Sequence, residues 1–215
     1  AGALVDISLS APCNPSDRVT IHHMGMMFTE STDDTGNLSL RVPALAETAV
    51  FLATFPDGSG ATTNIEVSSI AFYDRVVVQW KGPAGLQLHA REFTTEYFGE
   101  GHVWHDAAGE LAAAAVGEGG FLIPLGNATA PEALVAEVYT FPSGTAKQAG
   151  QVLLTVEAEI TPQNCSQPIE AQTLEMTSAA GIRTRDLVLD MPGCDTIGDF
   201  LVLKNLVEDL TIAAR

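Results

Sequence analysis

The segment Ile21–Phe28 contains the densest group of side chains in this chain that could bind a soft metal ion. It reads Ile-His-His-Met-Gly-Met-Met-Phe. Imidazole together with thioether is a ligand set suited to Cu(I). The candidate ligands are His22, His23, Met26 and Met27.

A short turn at residues 24–25 would divide these ligands between the two faces of a β-hairpin. His23 would then pair with Met26, and His22 with Met27. Because neighbouring residues of a strand point to opposite faces, each face would carry one histidine and one methionine. The His23 face is otherwise apolar and the His22 face is polar, so we expect His23 in the core and His22 towards solvent. A copper site would need further ligands, and the sequence favours packing over metal binding.

A second group of polar side chains lies at even-numbered positions between residues 92 and 106. If residues 99–101 form a hairpin loop, Phe98 pairs with His102 and Glu96 with Trp104, so the group could share one face of a sheet. A carboxylate with an imidazole could serve acid–base chemistry or bind a divalent metal. The group consists of Glu92, Glu96, Glu100, His102, Trp104 and Asp106.

No recognisable nucleophile accompanies this second group in the sequence. The chain has no G-x-S-x-G, no H-E-x-x-H and no phosphate-binding glycine loop. His102 and His105 are three positions apart, which on a strand places them on opposite faces. The sequence therefore favours a solvated strand face, with a hydrolase as the alternative.

These side chains would be held by β-strands, because alternating or β-branched runs are broken at short intervals by Gly, Pro, Asn and Asp. The pattern predicts an all-β protein of antiparallel β-sandwich architecture. The tail from Phe200 to Ile212 fits a helix or a strand and we favour strand, whereas Glu110–Val116 could form a short helix or a loop. The predicted strands are Leu4–Ser8, Val19–His23, Met26–Glu30, Leu38–Val42, Val50–Phe55, Asn64–Val67, Arg75–Trp80, Leu86–Phe93, Leu134–Phe141, Val152–Ile160 and Arg185–Leu189.

A glycine- and proline-rich break at Lys81–Gly85 marks the clearest candidate for a unit boundary. It predicts one β-sandwich unit at residues 1–81 and a second β-rich unit at residues 82–215. The two units could also pack as one continuous domain.

The three cysteines are Cys13, Cys165 and Cys194, and none belongs to a C-x-x-C pair of the kind that zinc requires. Cys165 and Cys194 each lie in a turn-like segment, and the stretch between them reads as two strands, so we expect a disulfide between them. Closing a loop of roughly 30 residues would stabilise the fold by about 3–4 kcal/mol. The alternative is two unpaired thiols in a cytosolic protein. A disulfide would indicate an oxidising, extracytoplasmic compartment and leave Cys13 without a partner within the chain.

Residues 17–67 contain a strand, a tight hairpin, a second strand, the segment Thr32–Leu40 and a further strand. The Thr-Asp-x-x-Gly-x-Leu-x-Leu-x-x-Pro pattern from Thr32 to Pro43 resembles modules of the carboxypeptidase regulatory-like, transthyretin-like β-sandwich group. This resemblance implies a transthyretin-like N-terminal unit, of a kind that usually acts as a structural or binding part of envelope and secreted proteins.

The residues of this pattern also have a direct physical interpretation. Asp33 and Asp34 can cap a turn, Gly36 can adopt positive φ, and Leu38 and Leu40 then point to one face. A turn is favoured over calcium binding, because the segment lacks the alternating oxygen ligands and terminal Glu of a dedicated calcium loop.

The charge of the chain excludes several classes of partner. It has 10 Lys and Arg against 27 Asp and Glu, a formal net charge of −17, so it would repel nucleic acid and anionic lipid. Its hydrophobic content of 46% predicts a folded protein. No run of about 18 apolar residues occurs, which predicts that no helix inserts into a membrane.

These observations together favour a non-catalytic β-sandwich protein, periplasmic or secreted, that binds or scaffolds a component of the cell envelope or secreted fraction. Its partner would be a protein or another envelope component, and no cofactor or metal is expected. The alternatives are a periplasmic copper-binding protein using His22, His23, Met26 or Met27, and a hydrolase using carboxylates near residues 92–106. The ligand, the oligomeric state and the partner of Cys13 stay open.

Overall fold

The fold is all-β in a computed structural model that describes residues 2–177 and 181–215. The described residues form one short α-helix, α1 (Leu111–Ala115), and brief 3-10 turns at Ser68–Phe72 and Cys194–Thr196. The strands are β1 (Leu4–Ser10), β2 (Arg18–His23), β3 (Met26–Ser31), β4 (Asn37–Pro43), β5 (Thr48–Thr54), β6 (Gly60–Glu66), β7 (Asp74–Lys81), β8 (Leu86–Glu92), β9 (His102–Val103), β10 (Phe121–Leu125), β11 (Leu134–Phe141), β12 (Gly150–Glu159), β13 (Pro168–Thr177), β14 (Gly181–Asp190), β15 (Phe200–Leu203) and β16 (Leu210–Ile212).

The strands form antiparallel sheets that pack against one another. Strands β1 and β4 form a two-stranded sheet, named here the front pair. The N-terminal sheet has the order β3-β2-β5-β6. The central sheet has the order β10-β11-β7-β13-β14. The C-terminal sheet has the order β15-β12-β8-β9, with β16 also paired to β12.

Strand β7, at the centre of the central sheet, is buried on both faces. From β7, Val77 enters a core shared with the N-terminal sheet and the front pair. Its neighbours Val76 and Val78 enter a second core shared with the C-terminal sheet. A strand buried on both faces reads as a continuous hydrophobic run rather than an alternating one, which explains the Val-Val-Val sequence at the centre of β7. The molecule is therefore layered, with the C-terminal sheet as one outer layer.

The sequence-predicted strands are confirmed, each overlapping a strand of the structure. The tail prediction is confirmed in part, since β15 and β16 are strands but residues 204–209 between them are not. At Glu110–Val116 the chain forms the helix α1. β7, which the sequence assigned to the first unit, pairs with β11 and β13 from beyond residue 82. The first unit thus contributes a strand to the sheet of the second, and the boundary at residue 81 stays a prediction.

The turn predicted at residues 32–37 is confirmed. Asp33 Oδ1 accepts hydrogen bonds from the backbone N–H groups of Thr35 and Asn37, at 2.9 and 2.8 Å. These bonds lower the pKa of Asp33. Gly36 has φ +80°, a conformation that glycine adopts without strain. The resemblance to transthyretin-like modules stays a prediction.

The disulfide Cys165–Cys194 is present, with Cα atoms 5.0 Å apart. Its cysteines lie just outside the two ends of the β13–β14 hairpin, so it closes the base of that hairpin. Cys13 is a free, exposed thiol. Within the described ranges, no helix is long and apolar enough to cross a membrane.

Candidate functional site

The hairpin at residues 18–31 has the predicted register. His23 pairs with Met26 and His22 with Met27, across a turn in which residues 24–25 both have positive φ. His23 and Met26 are buried, whereas Met27 is exposed. The four candidate ligands are therefore divided between two faces, as the alternation predicts.

Both ring nitrogens of His23 are occupied by backbone groups. Leu45 N–H donates to Nε2 at 2.8 Å, so Nδ1 carries the proton and donates to the carbonyl of Val50, also at 2.8 Å. The ring stacks on Phe51 with centroids 4.1 Å apart, and burial lowers the pKa of His23. His23 thus has no lone pair for a metal. Nor does the described part of the chain contain a group of three or more His, Cys, Asp or Glu side chains placed to hold one.

The hairpin predicted around residues 99–101 is wrong in register. β9 pairs with β8 through Ala90–Val103 and Arg91–His102, so residues 93–101 form a wide loop, named here the crown loop. The backbone N–H of Glu92 bonds the carbonyl of Gly101 at 2.9 Å and closes the loop at its base. Phe98 is consequently not paired with His102 in a ladder.

The crown loop has an unusual backbone. Phe93, Thr94 and Phe98 have φ of +52°, +61° and +62°, three of the nine non-glycine residues with positive φ in the described ranges. This conformation is unfavourable for residues with a Cβ atom, and most of all for a β-branched residue such as Thr94. The loop holds Phe98 with 77% of its surface exposed.

The crown loop covers a pair of buried histidines on the outer face of the C-terminal sheet. His89 Nδ1 lies 2.9 Å from His102 Nε2. Phe98 N–H donates to His102 Nδ1 at 2.8 Å, so the neutral His102 ring carries its proton on Nε2 and donates it to His89. His89 must then carry its own proton on Nε2, which lies 3.2 Å from Gln87 Oε1. The contacts therefore fix the tautomer of both rings.

Aromatic rings and one carboxylate enclose this pair. Trp104 stacks on both imidazoles, with centroids 5.2 Å from His89 and 5.8 Å from His102. Tyr97 donates its hydroxyl to Glu157 Oε1 at 2.6 Å, and Glu157 Oε2 lies 3.8 Å from His89 Nε2. Burial lowers the pKa of His89 to about 4 although Glu157 opposes the shift, and it lowers the pKa of His102 in the same direction. The arrangement is named here the aromatic cluster; its members are Tyr97, Phe98, Trp104, His89 and His102.

The carboxylates that the sequence grouped with His102 do not converge. Glu92 is buried on the inner face, where Oε1 accepts from the Tyr139 hydroxyl and from Gly120 N–H, both at 2.7 Å. Burial raises the pKa of Glu92. The other predicted carboxylates, Glu96, Glu100 and Asp106, are exposed.

Comparison of the chain with protein-family models, with curated proteins and with solved structures gave no match.

A carboxylate–imidazole pair that sequence reasoning missed lies at the rim of the same outer layer. Glu137 is buried on β11 and accepts from Leu88 N–H at 2.7 Å, while its Oε1 lies 3.1 Å from His105 Nδ1. Burial raises the pKa of Glu137, against the opposing effects of Leu88 N–H and His105. If His105 Nδ1 donates to Glu137, Nε2 is left unprotonated on a side chain that is 52% exposed. A buried carboxylate that orients an exposed imidazole in this way is typical of a general base.

Glu137, His89 and Glu157 were all missed because each lies far in sequence from its partners. One signal was present: Glu137 shares a strand face with Val135 and Tyr139. A carboxylate among core positions is seldom buried without a specific partner. The position of Glu137 on an otherwise apolar strand face could therefore have marked it as a candidate. The sequence could not have identified His105 as its partner.

Proposed function

We propose that this protein is a non-catalytic binding module that works outside the cytoplasm, in the periplasm or as a secreted protein. Its partner is a protein or another component of the cell envelope, and it binds through the crown loop and the aromatic cluster beneath it. The observation that carries the proposal is the exposure of Phe98 on a loop of unfavourable backbone conformation.

The backbone conformation of the crown loop has an energetic cost. Each left-handed residue other than glycine costs of the order of 1–2 kcal/mol, and such residues concentrate at functional sites. The loop also leaves a large aromatic ring in water, supported edge-on by His102 and Trp104 at centroid distances of 5.6 and 5.7 Å. Rigid exposed aromatic rings are typical anchors of binding interfaces. The aromatic cluster thus fixes the position of the exposed Phe98 ring, to which a partner can bind.

Two further observations support the location and the class of protein. The Cys165–Cys194 disulfide is of a kind that persists in oxidising compartments. The resemblance of residues 17–67 to transthyretin-like modules points to the same class of envelope and secreted binding parts.

The test compares Phe98→Ser with Val116→Ser, a matched change of an exposed apolar residue outside the loop. Envelope and secreted fractions are passed over immobilised protein, and a retained component is identified, purified and titrated. We expect Phe98→Ser to weaken binding at least tenfold and Val116→Ser to leave it unchanged. Equal binding by the Phe98→Ser variant, or no component that binds the purified wild-type protein, would overturn the proposal.

A hydrolase is the second candidate, favoured by the Glu137–His105 pair. His105 would act as a general base on water or a substrate hydroxyl, with Glu137 holding its tautomer. A panel of glycan and peptide substrates is assayed with wild type, His105→Asn and the control His22→Asn. Turnover that is lost only in His105→Asn supports this candidate. Turnover that is absent, or unchanged in His105→Asn, excludes it.

A further inference from the structure

A pocket of about 490 Å³ beside the aromatic cluster gathers cations that this acidic chain otherwise has in short supply. It is lined by Arg91 of β8, Thr155 of β12, Arg185 of β14 and Lys204 after β15. Three of the chain's ten Lys and Arg residues therefore meet at one pocket, in a protein of net charge −17. It is named here the cationic pocket.

None of these three cations has a carboxylate within ion-pair distance in residues 2–177 and 181–215. Elsewhere in these residues four cations pair with acids, as Arg41 does with Asp6 and Lys147 with Glu118, whereas Arg18, Arg75 and Arg215 do not. Although the chain has 27 acidic residues, three cations without an acid partner line one pocket.

The two acids in the wall of the cationic pocket are already engaged. Asp209 Oδ1 accepts from Leu154 N–H at 2.8 Å, and Glu208 Oε1 pairs with Arg183 at 2.8 Å. Neither carboxylate forms an ion pair with Arg91, Arg185 or Lys204. Arg185 lies near enough to Glu208 to help lower the pKa of that carboxylate, after the larger effect of Arg183. Within the described residues, however, no carboxylate contacts any of the three cations directly.

Neutral contacts hold both arginines in place. The Arg91 guanidinium lies 4.6 Å from the centroid of the Tyr97 ring, and its buried Nε has no hydrogen-bond partner within the described residues. Arg185 Nη1 donates to the carbonyls of Asn205 and Leu206, at 3.2 and 3.1 Å. Within the described residues its other N–H groups have no hydrogen-bond partner, so they are left for a ligand. Arginines fixed by stacking and carbonyl contacts are preorganised for bidentate binding of planar or tetrahedral oxyanions.

We infer that the cationic pocket binds the oxyanion group of a small acidic ligand, a sulfate or a carboxylate, through Arg91, Arg185 and Lys204. Thr155 lines the same pocket, and its hydroxyl oxygen lies 3.4 Å from that of Tyr97. The pocket thus adjoins the aromatic cluster but is a site separate from the exposed ring of Phe98.

The experiment is an amide NMR titration of the whole chain with sodium sulfate, sodium glucuronate and neutral glucose, at ionic strength matched with sodium chloride. We expect saturable shifts around Thr155 and Lys204 with sulfate or glucuronate, with a Kd of the order of millimolar, and none with glucose. Saturable shifts with sulfate alone would indicate a sulfate ligand, and saturable shifts with glucuronate alone would indicate a carboxylate ligand.

Lys204→Gln removes one exposed cation of the pocket, and Lys147→Gln removes a comparable exposed cation elsewhere. We expect Lys204→Gln to weaken binding at least fivefold and Lys147→Gln to leave it unchanged. Equal weakening in both variants would show a general charge effect and overturn the inference. So would the absence of saturation with either anion up to about 100 mM, far above a millimolar Kd. Neither result depends on Phe98, so the inference and the proposed function can fail separately.

Discussion

His102 Nε2 lies 2.9 Å from His89 Nδ1, and both rings must be neutral for this contact to form together with its neighbours. A proton added to His102 Nδ1 would face the N–H of Phe98. A proton added to His89 Nδ1 would face the N–H of His102, unless His102 moved its own proton towards Phe98. The hydrogen bonds that hold the crown loop on this histidine pair therefore form together only when both rings are neutral.

The first prediction is a loss of stability at mildly acidic pH. Both histidines have a folded pKa below the usual value of 6.5, because burial disfavours their charged form. Protons then bind the unfolded chain more tightly, so this contribution to stability is full above about pH 6.5 and falls as the pH drops towards about 4. The charged groups around the pair oppose one another: Glu157 favours the protonated rings, and Arg91 lowers the pKa of His102. The free energy of unfolding, measured with urea, should decrease by roughly 1–3 kcal/mol across this pH range.

The control for this prediction is a pair of glutamine variants. His102→Gln should reduce the pH dependence between about pH 6.5 and 4 without abolishing it, because the buried His23 also has a lowered pKa. His22→Gln, on the solvent side of its hairpin, should retain the full pH dependence. A His102→Gln variant with an undiminished slope would show that the acid sensitivity arises elsewhere.

The hairpin of His22 and His23 shows what the sequence could predict. A short turn at residues 24–25 fixes the register, and alternation then decides which side chain is buried. Both steps are local, so the pairings and the burial of His23 followed from a few residues. The turn at Asp33 and Gly36 was predictable for the same reason.

The crown loop shows what the sequence could not predict. Its left-handed residues are Phe93, Thr94 and Phe98, none of which has the chemistry that marks such a position, as Gly36 does. Its conformation depends on His89 and Glu157, which come from other strands. The aromatic cluster is thus a product of tertiary packing, and so is the Glu137–His105 pair. Local patterns predict the strands of such a site but not the contacts between them.

The second prediction concerns strain in the crown loop. Thr94 has φ +61°, so Thr94→Gly should relieve part of a cost of roughly 1–2 kcal/mol and raise stability by about 0.5 kcal/mol or more after the added flexibility of glycine is included. Thermal unfolding measures the change. The matched variant is Thr95→Gly, which removes the bond from Thr95 Oγ1 to the Glu100 carbonyl and should lower the melting temperature. If Thr94→Gly were the less stable of the two, backbone strain would not be a feature of this loop.

The third prediction concerns Arg75, a fully buried cation with neutral partners. Its guanidinium donates to the carbonyls of Gly2, Ala3 and Ala44 and, at 3.1 Å, to the Thr140 hydroxyl. Burial lowers the pKa of Arg75 to about 9. Arg75→Met would leave these four acceptors without their donor, each at a cost of roughly 1–3 kcal/mol. It would also remove the cost of burying a cation, so we expect a net decrease of about 3 kcal/mol or more in the unfolding free energy measured with urea.

The control for Arg75 is Arg41→Met, which breaks an exposed ion pair with Asp6 and should leave the unfolding free energy nearly unchanged. Since Gly2 and Ala3 are held by Arg75, the Arg75→Met variant should also exchange the amide hydrogens of the N-terminal segment faster. Full retention of stability would mean that the buried carbonyls find other donors.

The last prediction concerns the disulfide at the base of the β13–β14 hairpin. Cys165 and Cys194 are 29 positions apart, and in the chain-entropy model a loop of this length contributes about 3–4 kcal/mol by restricting the unfolded chain. Cys165→Ser with Cys194→Ser should lower the unfolding free energy by that amount, and a reducing agent should do the same to the wild type. Cys13→Ser should have no effect, because that thiol is free and exposed. A reducing agent that destabilised the double variant as much as the wild type would show that its effect does not act through this bond.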